Sequence, residues 1–356
     1  MKGLKYEKTF KLLSLSICIL LMGAFFVGCS KDSSEQISFL NYGENIDKET
    51  IKEFEKKYGI KVNVETFDDM ETMYQKISKG GVKYDVILVS DALMPRMIKK
   101  GLIQELNKDN IPNISQMDKD YLNLQIDPGN KYSVPYMFGT VGLIYNKDVV
   151  KEKVDSWDIL WDEKYKDKVF MFDTYRDTMG AALKKLGYSL NSKNPKEIEE
   201  AKELLIKQRE TVNPIYGVDN GTTMIPAGES DINMIWSGEG LNLQDENPNL
   251  VYVVPKEGAN FWIDSLCIPK NAENVEGAEK FINFVSDKES ALRIADEIGY
   301  TTPNKEARLA QPDNVKNNPN AYMPKEIMDR CEIYEDFPMD VKKIYDNAWV
   351  NIKSDN

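Results

Sequence analysis

Between Ile37 and Val89 the chain alternates twice between a period-2 and a period-3.6 apolar pattern, and that alternation restricts the fold more than any other feature. Ile37-Ser38-Phe39-Leu40 reads as a strand, and Ile51, Phe54 and Tyr58 form a helical face ended by Gly59. Ile60, Val62 and Val64 alternate as a second strand. A helical stretch around Met73, Tyr74 and Ile77 stops at Gly80-Gly81, and Val86-Ile87-Leu88-Val89 reads as a fully buried strand. Strand, helix, strand, helix, strand predicts a parallel sheet. Ligands of such sheets collect at the carboxyl ends of the strands, here near Asn41-Tyr42 and Ser90-Asp91.

A second α/β unit is expected from Val141-Gly142-Leu143-Ile144-Tyr145 onward, after a turn at Pro135. Val169-Phe170-Met171-Phe172 is an apolar strand running into Asp173-Thr174, a cap for the helix carrying Ala181, Ala182, Leu183 and Leu186. Asn194-Pro195 starts another amphipathic helix through Ile198, Ala201 and Leu205. Strands at Ile232 to Trp236 and Leu250 to Val254 follow. The chain then crosses back at Phe261 to Pro269, before a core-facing helix through Ala278, Phe281, Ile282 and Val285.

Ahead of all this, Lys2, Lys5, Lys8 and Lys11 precede an apolar run from Leu12 to Val27, too short to read as a spanning helix. Val27-Gly28-Cys29 closes it and resembles the lipobox of bacterial lipoproteins, although Phe26 stands where that motif more often has Leu. The resemblance implies a signal peptide over residues 1–28, a lipidated Cys29 and a polar tether over 29–36. The localisation it implies is the extracytoplasmic face of the cell membrane, with lipid as the sole membrane contact.

Composition narrows the function. Removing residues 1–28 takes away four Lys and one Glu and moves the formal charge from −12 to −15. So acidic a chain is a poor partner for nucleic acid or anionic lipid and a better one for a cation. The absence of any histidine removes the commonest general base, the Ser-His and Cys-His pairs and the commonest metal ligand. Neither a catalytic centre nor a metal or other cofactor is expected. A glycosidase built on paired carboxylates is the enzyme alternative, since rings beside acids suit sugars too. With Cys18 and Cys29 assigned to the leader and the lipid, Cys267 and Cys331 remain, too few for a disulfide framework; whether they pair is open.

At five places, each read as just past a strand end, an aromatic ring or hydroxyl stands beside a carboxylate: Tyr42 with Glu44, Ser90 with Asp91, Asp173 to Asp177, Trp236 with Glu239, and Trp262 with Asp264. Singly, each has a bland reading as core or helix cap. Together they supply ring faces for a cation and its methylenes, at about 0.5–2 kcal/mol per cation–π contact, and charge-assisted acceptors for ammonium groups.

From Ile37 to about Tyr345 the chain resembles the substrate-binding protein of the bacterial spermidine/putrescine ABC importer. The most specific stretches are Lys256-Glu257-Gly258-Ala259-Asn260-Phe261-Trp262-Ile263-Asp264-Ser265-Leu266, Ile298-Gly299-Tyr300-Thr301-Thr302-Pro303-Asn304, Asn233-Met234-Ile235-Trp236-Ser237-Gly238, Tyr132-Ser133-Val134-Pro135-Tyr136 and Leu183-Lys184-Lys185-Leu186-Gly187-Tyr188-Ser189. The resemblance implies an α/β, two-lobed periplasmic-binding-protein-like fold of type II, with the ligand cleft between the lobes. Lobe 1 is then expected over 37–140 plus 265–310 and lobe 2 over 141–264 plus 311–356.

The same resemblance implies a monomer that captures spermidine or putrescine and delivers it to the permease subunits of an ABC transporter. Trp236, Trp262 and Tyr300 are then expected to sandwich the alkyl chain, and Asp264 to bind an amine. Tyr42 takes the place of a family Trp, Ser90 keeps a family Ser, and Asp177 takes the place of a Glu at one end of the ligand. Thr174 stands where the family has a second Asp, Asn45 and Ala92 where it has tyrosines, and Tyr334 where it has a Gln. Losing one acceptor and two rings weakens binding or changes the preferred ligand length. The choice among amines is left open, and another small cationic solute or a sugar in the same fold is the alternative.

Overall fold

The computed structural model describes residues 35–218 and 220–354. Cys29 and the leader before it lie outside the described residues. Among those described, no helix is long and apolar enough to cross a membrane.

β1 (Gln36–Tyr42) pairs in parallel with β2 (Lys61–Phe67) and with β3 (Val86–Ser90), as the alternation predicts. The helix Lys48–Tyr58 between β1 and β2 begins at Asp47, whose carboxylate accepts from the Glu49 and Thr50 amides. It ends where Gly59 turns left-handed at φ 69°, a conformation that favours glycine.

β4 (Ser133–Asn146) departs from expectation. Pro135 forms no turn; the strand runs through it with a register shift between Pro135 and Met137, a bulge that suits a residue lacking an N–H. The first half of β4 pairs antiparallel with β9 (Phe261–Cys267), which pairs on its other side with β3. The second half pairs with β7 (Ile232–Trp236) and β8 (Leu250–Val253). β5 (Val169–Phe172) joins β7 and β6 (Ile215–Gly217) in parallel. The order is β2-β1-β3-β9-β4-β7-β5-β6, with β8 on β4.

Apolar packing is concentrated on the two flanks of this crossing. One core gathers Phe39, Phe54 and Phe281 beneath β1 and β3. Another gathers Trp157, Phe170, Phe172, Tyr252 and Tyr345 around β5 and β7. Tyr121, Phe138, Phe261, Ile263 and Tyr322 form a smaller cluster where β4 and β9 cross between them. The two-lobed α/β architecture expected from the sequence is therefore the architecture found.

Candidate functional site

Tyr42 and Ser90 are the last residues of adjacent parallel strands, and Asp91 follows directly. Trp262 and Asp264 do not follow a strand end as the sequence pattern suggested; they lie within β9, near its amino end. Because β9 runs antiparallel to β3, that end meets the carboxyl end of β3: Ser90 pairs with Asp264, and the Asp91 N–H donates to the Ile263 carbonyl at 3.1 Å. From the other flank, β7 ends in Trp236, which stacks on Phe172 at 4.5 Å.

Two glycines let the rings approach. A Cβ on Gly139 of β4 would lie 2.4 Å from the Trp262 ring, and one on Gly238 would lie 2.3 Å from the Tyr300 ring. Tyr300 meets Trp262 edge-on, with centroids 5.1 Å apart. It also lies within electrostatic reach of Glu239, Asp264 and Tyr42. Trp236, Trp262, Tyr300 and Tyr42 are each half-buried.

The acids carry the electrostatics. Asp264 is 8% exposed, and burial pushes its carboxyl up to about 7. Asp91 is 3% exposed and is driven well above the carboxylate range by burial first and by the Asp264 charge second. Among the described residues no Lys or Arg forms an ion pair with either. The charge of Asp264, once ionised, opposes ionisation of Asp91.

Asp177 is also raised by burial, opposed by two hydroxyl donors. Thr174 Oγ1 donates to it at 2.5 Å and Tyr334 OH at 2.9 Å. Thr174 thus occupies the N-cap position of helix Tyr175–Lys185 without capping it, because its hydroxyl serves Asp177. Asp173 turns away to Lys353 at 3.0 Å, as strand alternation predicts. Arg176 lies over the Tyr334 ring at 4.2 Å.

The structure brings the sequence-predicted residues together in two groups: Tyr42, Ser90, Trp262, Asp264 and Tyr300 around the end of β3 and β9, and Thr174, Asp177 and Tyr334 around the start of helix Tyr175–Lys185. Trp236 ends β7 against Phe172. Asp91 lies within electrostatic reach of both Asp264 and Tyr334, which ties the two ends together. Asp91, named beside Ser90 in the sequence pattern, was not among the residues carried over from the family resemblance. Gly139 and Arg176 were missed as well, and only the packing identifies them. Cys267 and Cys331 are free thiols, the first fully buried with its sulfur 3.8 Å from that of Met94.

Two α/β flanks joined by long shared strands are the architecture of a two-lobed solute-binding protein. The chain belongs to the spermidine/putrescine-binding family of bacterial extracellular solute-binding proteins, and the general model of the latter matches residues 49–324. The spermidine/putrescine-binding periplasmic protein of Salmonella typhimurium is 36% identical over 342 residues, covering 94% of this chain and 97% of that protein. A putrescine-binding periplasmic protein of Pseudomonas aeruginosa is 33% identical, covering 88% and 90%. The crystal structure of a spermidine/putrescine ABC transporter substrate-binding protein from Streptococcus pneumoniae superposes with a TM-score of 0.84 at 36% identity, covering 90% of this chain and 99% of that one.

Proposed function

We infer that this chain captures a polyamine outside the cytoplasm and delivers it to the permease of an ABC importer. The observation that carries the reading is Asp264: a buried carboxylate without a cationic partner, flanked by Trp262 and Tyr300. A cation entering there pairs a charge that the fold leaves unpaired, and the rings cover its methylenes. On this reading Trp236, Trp262 and Tyr300 hold the alkyl chain, Asp264 one amine and Asp177 the other end. Tyr42, Ser90, Thr174 and Tyr334 complete the wall.

The lobes are taken as 37–140 plus 265–310 and 141–264 plus 311–356, closing about β4 and β9 as a monomer. Closure desolvates the amine and presents one surface to the permease. An acyl chain on Cys29 is taken as the membrane anchor.

Titration followed by tryptophan emission tests the ligand. Putrescine or spermidine changes the emission saturably, and a Trp236→Phe, Trp262→Phe double variant, which keeps Trp157, Trp161 and Trp349, loses the response. Parent emission indifferent to both amines sinks the assignment. For the anchor, the parent partitions into the detergent phase of a membrane extract and Cys29→Ser into the aqueous phase. Equal partitioning of the two removes Cys29 from that role.

A further inference from the structure

At the end of the first sheet two buried atoms lack a hydrogen-bond partner: Oδ2 of Asp91 and Nε1 of the half-buried Trp262. Asp91 lies directly after β3, is 3% exposed, and accepts from backbone amides, that of Tyr334 among them, without filling Oδ2. Trp262 comes to the same place from β9, whose amino end is bound to Asp91 through the Ile263 carbonyl. The topology therefore brings an acceptor and a donor with no partner to the sheet end that also holds Asp264.

We propose that Asp91 is a second carboxylate of the amine site, sharing one terminal ammonium of the polyamine with Asp264. This rests on the polyamine reading above. A primary ammonium has three donors and no acceptor, so one carboxylate leaves donors unused that a second carboxylate can accept. Spacing also favours the pair. Asp264 is held by its backbone opposite Ser90, the last residue of β3, and Asp91, in the turn that follows, lies within reach of the Asp264 charge.

Proton exchange is the consequence. The titratable groups facing the pair are Tyr300 beside Asp264 and Tyr334, from the C-terminal segment, beside Asp91. Burial raises both carboxyls, Asp264 to about 7, and the Asp264 charge raises Asp91 further. The incoming ammonium stabilises both ionised forms, so each carboxyl gives its proton to the buffer as it pairs. No covalent bond of the ligand changes.

Calorimetric titration of the parent with putrescine at about pH 6, repeated in buffers of different ionisation enthalpy, counts the protons released. The expected result is release above a single proton per ligand in the parent and lower release in Asp91→Asn, whose affinity falls roughly 30-fold or more. A merely structural Asp91 would not change the proton count. If Asp91→Asn fails to fold, Asp177→Asn decides: release still above one proton in it supports the pair, and release at or below one proton overturns the proposal. Parent release that stays at or below one proton overturns the proposal, as does a folded Asp91→Asn that binds as tightly as the parent with unchanged release. A parent that binds neither putrescine nor spermidine contradicts the polyamine reading itself and this inference with it.

Discussion

At Asp264 the fold keeps a carboxyl at the protein's interior and leaves it without a cation. Its folded value of about 7 lies above the ordinary value of 3.8, so ionisation is disfavoured in the folded protein. The group's stabilising contribution is complete below the ordinary value and is lost as pH rises through about 7, a change of a few kcal/mol. Asp91 acts in the same direction. Asp264→Asn is therefore expected to melt higher than the ligand-free parent at about pH 8, with the difference shrinking toward about pH 4, and to lose at least about 2 kcal/mol of polyamine affinity. Scanning calorimetry across that range checks it; parallel melting curves for the two proteins at every pH contradict it. Trp236, Trp262, Asp264 and Tyr300 stood out in the sequence because their flanking residues form specific runs. Asp91 stood out only as the neighbour of Ser90, since an acid after a strand reads equally well as a helix cap; its burial, which depends on the distant segment around Tyr334, was not legible.

Among the elements, β4 and β9 do most to place the site, because each touches both flanks of the molecule. Gly139 of β4 sits opposite Trp262 in the register, with the Ser237 hydroxyl on its other side accepting from the Thr140 N–H at 3.1 Å. A methyl at Gly139 would fall 2.5 Å from that hydroxyl and 2.4 Å from the indole. Gly139→Ala is expected to displace the ring, costing about 1–3 kcal/mol of stability and weakening polyamine binding by roughly tenfold. Chemical denaturation and titration of the same sample measure both; a variant matching the parent in each shows that the ring can shift freely. Helix ends at Gly59 and Gly80 were legible because a glycine stop is a local signal. The double membership of β4 was not, as Pro135 reads locally as a turn and only pairing with β9 makes it a bulge.

For the whole molecule, the order of patterns along the chain was enough to predict two α/β units and a return crossing. It could not give the position of β9 between β3 and β4, because strand order is fixed by contacts between segments far apart in sequence. The two cores and the crossing cluster suit a pair of lobes that close on a ligand, and the overall charge of −12 favours a cationic one. Rings and acids of the number found here can offset the ordering cost and still leave about −8 kcal/mol, micromolar capture. The decisive measurement is calorimetric titration of the unlipidated chain from Ser30 onward with spermidine and with putrescine, maltose serving as control. Saturable one-to-one binding of at least one polyamine, with no heat from maltose, is the predicted result; silence toward both amines would contradict the account.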